Sequence, residues 1–100
     1  MMAKTKFSDT AVVIPTLNEE NNIGILIKTI SKLCPGIKIV VADDGSTDRT
    51  LSVAKQHGAS VLDRSGRKIK GITVSVVEAL DHISTENFIV IDADLQHPPE

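Results

Sequence analysis

The sequence contains neither tryptophan nor tyrosine, and two phenylalanines are the whole aromatic content of its 100 residues. Recognition of single-stranded nucleic acid by base stacking has almost nothing to work with. Nor is there a cationic surplus. Eleven Lys and Arg stand against thirteen Asp and Glu, a formal net charge of −2, whereas affinity for a phosphate backbone needs a clear positive excess. Nucleic acid is not an expected partner. A single cysteine, Cys34, leaves no internal disulfide framework and fits a reducing compartment. No run approaches the ~18 consecutive apolar residues of a membrane span. The N-terminal MMAKTKFSDTAVV lacks the apolar stretch of a secretory signal. Repeats, low-complexity tracts and linkers are also missing. The expectation is a soluble, cytoplasmic chain with one domain over residues 1–100.

What is present is an aliphatic chain, 41% apolar, in which short β-branched runs alternate with longer amphipathic stretches. Thr10 to Pro15 reads as a buried strand closed by proline. Ile23, Leu26, Ile27, Ile30 and Leu33 then recur at helical spacing, with Asn18 as the expected N-cap and Pro35-Gly36 as the stop. Ile37 to Ala42 is a second strand, followed by a helix capped by Ser46 or Thr47 and fading by Gly58. Ala59 to Leu62 reads as a short third strand and Asp63 to Gly71 as a charged loop. Ile72, Val76, Leu80 and Ile83 mark a third helix, and Asn87 to Ile91 a fourth strand. Alternating strands and helices imply parallel strands joined by crossovers. Continuous aliphatic strands imply that both sheet faces are covered. The predicted architecture is an α/β fold, an open, doubly wound and mostly parallel sheet.

The polar clusters follow the strands. Pro15-Thr16-Leu17-Asn18-Glu19 comes after the first, Asp43-Asp44-Gly45-Ser46-Thr47-Asp48 after the second, and Asp92-Ala93-Asp94-Leu95-Gln96 after the fourth. Ligands of open α/β sheets bind at the carboxyl ends of strands, and a strand order 3-2-1-4 would bring these clusters to one edge. Asp92 and Asp94, two apart on extended chain, point to one side. Oxygen ligands of this kind suit a hard divalent ion, Mg2+ or Mn2+. Asp-Asp-Gly-Ser is also a good turn and helix-start sequence, with Gly45 free to take positive φ. Two adjacent acids exceed what a cap needs, so a ligand contact by Asp43 or Asp44 is expected. The basic loop with Arg64, Arg67, Lys68 and Lys70 is either a solvated surface or a diphosphate cradle. His57, His82 and His97 have no partner at metal-ligand spacing and read as structural.

Taken together, VVIPTLNEENNI, VVADDGSTDRT and IVIDADLQHPPE resemble, in order, the motifs of the inverting glycosyltransferases of family 2, in particular the dolichol-phosphate mannose synthases and related polyprenyl-phosphate glycosyltransferases. The resemblance implies the N-terminal nucleotide-binding half of a GT-A fold, a nucleotide-sugar donor (GDP-mannose) and a dolichyl or polyprenyl phosphate acceptor. Carried over by position, Pro15, Leu17 and Glu19 would line the nucleoside pocket, Asp43 or Asp44 would contact base or ribose, and Lys70 would contact phosphate. Asp92, Asp94 and Gln96 would surround the divalent cation, with Asp92 and Asp94 as the catalytic pair. Leu17 stands where an aromatic residue is common in the family, and KIKGITVSVVEAL is less glycine-rich than its counterpart. Family catalytic domains run well past residue 100, so the chain reads as truncated. Lipid-phosphate binding and peripheral contact with the cytoplasmic face of a membrane would belong to the missing part. Truncation would also expose the fourth strand as a sheet edge that could pair in a homodimer. The competing reading is a nucleotide- or metal-binding module without catalysis, acting through a partner chain.

Overall fold

The computed structural model describes residues 9–93. Four strands, β1 (Thr10–Thr16), β2 (Lys38–Asp43), β3 (Ser60–Asp63) and β4 (Asn87–Val90), alternate with three helices, α1 (Ile23–Leu33), α2 (Thr50–Gln56) and α3 (Ile72–Leu80). The sheet order is β3-β2-β1-β4 and all three pairings are parallel. This is the predicted doubly wound arrangement, and it puts the carboxyl ends of β1, β2 and β4 side by side.

The strand periodicity divides the core. Val12 and Ile14 of β1 share a face with Ile39 and Val41 of β2, and against them pack Ile23, Ile27 and Ile30 of α1 and Ala54 of α2. Val13, Val40 and Ala42 face the other way, against Ala79 of α3 with Val76, Leu80 and Ile83 at its border. Each fully buried Val or Ile contributes roughly 1.5–3 kcal/mol, so the two central strands carry most of the fold. The α1–α2 contact is close. A β-carbon on Gly24 would lie 2.9 Å from the His57 ring, and that ring is itself held by a 2.9 Å hydrogen bond between Nδ1 and the Val53 carbonyl. His57 is structural, as expected.

Three local expectations are corrected. Asn18 does not cap α1, which begins after Asn22 with no side-chain cap. Asn18 instead takes positive φ (57°) and turns its side chain to the loop after β2. Neither Ser46 nor Thr47 caps α2, which starts later, at Thr50. Ser46 gives its hydroxyl to Asp43, and Asp48 accepts from the Thr50 amide at 2.9 Å and from its hydroxyl. Ile72, assigned to the apolar stripe of α3, is 61% exposed. Among the described residues only the central strands are covered on both faces. Every residue of β4 is exposed, including Phe88, Ile89 and Val90. Among the described residues β4 pairs with β1 alone. No helix among the described residues is long and apolar enough to cross a membrane.

Candidate functional site

Two loops at the carboxyl edge are laced together by hydrogen bonds that local sequence could not reveal. After β1, the amides of Asn18, Glu19 and Glu20 donate to Ser46 Oγ (2.8 Å), Thr50 Oγ1 (2.8 Å) and Asp48 Oδ2 (3.2 Å). In return Asn18 Oδ1 accepts from the Thr47 amide at 2.9 Å, and Glu20 Oε1 from the Arg49 amide at 2.8 Å. These cross-loop bonds stand in place of the caps expected from sequence. They hold Leu17 and Glu19 in fixed relation to the end of β2.

The adjacent acids Asp43 and Asp44 have opposite fates. Side chains alternate along a strand, and Asp43 turns into the protein, where it is fully buried. Its Oδ1 accepts from Thr16 Oγ1 (2.6 Å) and Ser46 Oγ, and its Oδ2 from the amides of Gly45 (3.1 Å) and Ser46 (2.8 Å). A carboxylate offers about four lone-pair positions, and all are taken. Gly45 makes this wrap achievable by adopting φ of 112°, a region closed to most side chains. Asp43 is therefore a structural residue of the turn, and of the two candidates only Asp44 faces outward.

Asp44 accepts from Arg64 Nη1 and Ser75 Oγ (2.9 Å) on Oδ1, and from the Gly71 amide (2.8 Å) on Oδ2. Burial pushes its carboxyl upward, but the Gly71 amide, the Ser75 hydroxyl and Arg64 outweigh this and hold it below the ordinary range. Three of about four acceptor positions are filled by described residues.

Arg64 belongs by sequence to the basic loop, yet only 1% of it is exposed. Its Nε donates to Glu78 Oε1 at 2.8 Å, Nη1 to Asp44 and Ser75, and Nη2 to the Ile69 carbonyl at 2.9 Å. Arg67 also pairs with Glu78, and together Arg67 and Arg64 pull that carboxyl down to about 2. Lys70 donates to the carbonyls of Arg64 (2.7 Å) and Ser65 (3.0 Å). The loop's cations are thus largely engaged within the protein, and no open cradle of four basic side chains forms.

A cavity of about 490 Å³ opens at this edge. Pro15 and Thr16 at the end of β1 with Leu17 and Glu19 after it supply one wall, Asp44 the part after β2, and Asp92 the part after β4. Lys70, Gly71 and Ile72 close it from the start of α3. Six residues named from the sequence, Pro15, Leu17, Glu19, Asp44, Lys70 and Asp92, meet here. Asp43 does not line the cavity, while Asp94 and Gln96 lie outside the described residues. Thr16 belongs to the first polar cluster and Gly71 to the Lys70-Gly71 phosphate contact that the resemblance implies, whereas Ile72 is a lining residue with no signal in the sequence. Helical spacing does not say which turn projects beyond the sheet. The lining residues combine oxygen donors with apolar surface and include no Cys or His. Among the described residues there is no cluster of three or more metal-ligating side chains.

A parallel α/β sheet with a mixed acidic and apolar cavity at its switch point has its opening where open α/β folds take ligands, and the sheet with its interleaved helices has the GT-A architecture. The chain belongs to glycosyl transferase family 2, whose pattern matches residues 11–100. It is 40% identical over 96 residues to the dolichol-phosphate mannosyltransferase of Pyrococcus furiosus, covering 90% of this chain and 27% of that protein. It is 33% identical over 98 residues to the undecaprenyl-phosphate 4-deoxy-4-formamido-L-arabinose transferase of Edwardsiella ictaluri, covering 90% and 30% respectively. Among solved structures, the glucosyl-3-phosphoglycerate synthase of Mycobacterium tuberculosis, in complex with Mn2+, UDP and glucosyl-3-phosphoglycerate, matches with a TM-score of 0.77 and 33% identity. That match covers 91% of this chain and 35% of the synthase. The chain therefore spans less than a third of the length of these two curated relatives.

Proposed function

We propose that this chain is the donor-nucleotide part of an inverting glycosyltransferase that passes a sugar, mannose from GDP-mannose, to a dolichyl or polyprenyl phosphate. The observation that carries the proposal is the meeting of Asp44, Lys70 and Asp92, from three distant segments, around one cavity with apolar walls. Leu17 and Ile72, both more than half exposed, offer apolar surface to a nucleoside. Asp44 accepts from an N–H of the base or a ribose hydroxyl. Lys70 and the Gly71 amide segment border the space for the diphosphate. The names of the two curated relatives support a polyprenyl or dolichyl phosphate acceptor, which would engage the longer protein at the cytoplasmic face of a membrane.

The oxygen-only character of the lining residues fits a hard divalent cation, Mg2+ or Mn2+. Asp92, with Asp94 and Gln96, would hold it, and the Mn2+ of the mycobacterial synthase supports this reading. Such an ion supplies stabilisation of negative charge on the departing nucleoside diphosphate. The acceptor phosphate is already ionised at neutral pH, so the protein's main tasks are orientation of the donor and exclusion of water from the cavity.

A second reading, a nucleotide- or metal-binding module without transfer activity, needs only the cavity lined by Asp44, Lys70 and Asp92. Calorimetry of the folded chain with GDP and UDP, with and without Mn2+ or Mg2+, tests the binding common to both readings. Absence of binding to either nucleotide refutes both. Transfer from labelled GDP-mannose to polyprenyl phosphate then separates the enzyme from the module.

A further inference from the structure

We propose that Arg64 is a positioning residue for the nucleotide cavity, fixing from beneath the orientation of Asp44 and the path of the loop that carries Lys70 and Gly71. The inference rests on the nucleotide-binding reading above. Arg64 does not line the cavity, but its direct contacts reach two of the lining residues. Its guanidinium donates to Asp44, and its own carbonyl accepts from Lys70 Nζ at 2.7 Å. The third lining residue, Gly71, is reached through Asp44, whose Oδ2 takes the Gly71 amide at 2.8 Å.

The geometry needs arginine. One planar group joins Asp44 at the end of β2, Glu78 and Ser75 on α3, and the Ile69 carbonyl in the loop between them. Lysine brings the same charge as a single point with three donors and cannot span four partners lying in different directions. Stability alone does not call for a charge here, because a buried ion pair can often be replaced by apolar side chains without loss. What apolar side chains could not do is hold Asp44 in place at the cavity wall. Gly71, at φ of 126°, is the point where the loop swings into α3, so its amide reports directly on the same arrangement.

The test is a double-mutant cycle read by calorimetry on the 100-residue chain, with GDP and UDP in the presence of Mn2+. Thermal melting is measured alongside. Arg64→Lys is expected to weaken nucleotide binding about tenfold or more, as loss of a hydrogen bond between charged groups does. Asp44→Asn weakens it as well, and Arg64→Lys in the Asp44→Asn background adds little further, because the arginine acts through the aspartate. Additive effects, or unchanged binding by a folded Arg64→Lys chain, overturn the proposal. If Arg64→Lys does not fold, Ser75→Ala, which removes the hydroxyl shared by Arg64 and Asp44, takes its place. It is expected to weaken binding about threefold at nearly unchanged melting temperature, and unchanged binding overturns the proposal equally. Failure of the unaltered chain to bind either nucleotide refutes the nucleotide-binding reading itself.

Discussion

Replacement of Asp43 should cost the fold, whereas replacement of its neighbour should cost the ligand. Asp43→Ala leaves four donors without their acceptor, namely the amides of Gly45 and Ser46 and the hydroxyls of Thr16 and Ser46. The hydroxyls can rotate toward other partners, but the amides cannot. A stranded donor costs about 1–3 kcal/mol when buried, and these two amides are partly buried, so together they give roughly 1–4 kcal/mol. That is a sizeable part of the roughly 5–15 kcal/mol expected of a chain this size. Asp43→Asn should be milder, at about 1–2 kcal/mol. Its one oxygen can accept from both amides while its NH2 faces the two hydroxyls, which turn to receive it. Urea denaturation at pH 7 followed by circular dichroism measures both, since the chain has no tryptophan to report by fluorescence. A loss below about 1 kcal/mol for Asp43→Ala would refute the reasoning. So would an Asp43→Asn chain of full stability with nucleotide binding abolished.

Acid should weaken the fold through Asp44 and Glu78. Both carboxyls are held below their ordinary values in the folded chain, Glu78 at about 2. A group depressed by folding adds stability that is complete above its unfolded value and lost as pH falls through the folded one. Melting temperature should therefore stay level down to about pH 5 and decline from about pH 4.5 toward 2, with a shallower decline for Glu78→Gln. Identical acid profiles would remove the Glu78 contribution. The exposed apolar residues of β4 should drive two copies of the 100-residue chain to associate at high concentration. Ile89→Lys, a charge on that half-exposed strand, should shift sedimentation toward the monomer, and an unaltered association constant would place the contact elsewhere.

The elements of this protein were legible in the sequence because their signals are local. Two central strands with unbroken aliphatic runs must be buried on both sides, and three polar clusters placed after strands must share an edge once the pairing is parallel. From these follows the α/β class; the order 3-2-1-4 enters as the arrangement that would gather the clusters, and Pro15, Leu17, Glu19 and Lys70 come from the resemblance of the motifs. The identity of a pair such as Asp43 and Asp44 could not be divided in that way. Which acid turns inward depends on strand parity and on Thr16, 27 residues away. Asn18 and Ser46 look like caps in isolation, yet each meets a donor or acceptor from the other loop. Arg64 reads as one cation in a basic loop until folding sets it between Asp44 and Glu78. Hydrophobic periodicity determines which segments form and which faces they bury. Hydrogen bonds between side chains far apart in sequence have directions and partners that exist only after the chain has closed, so the tertiary structure alone decides them.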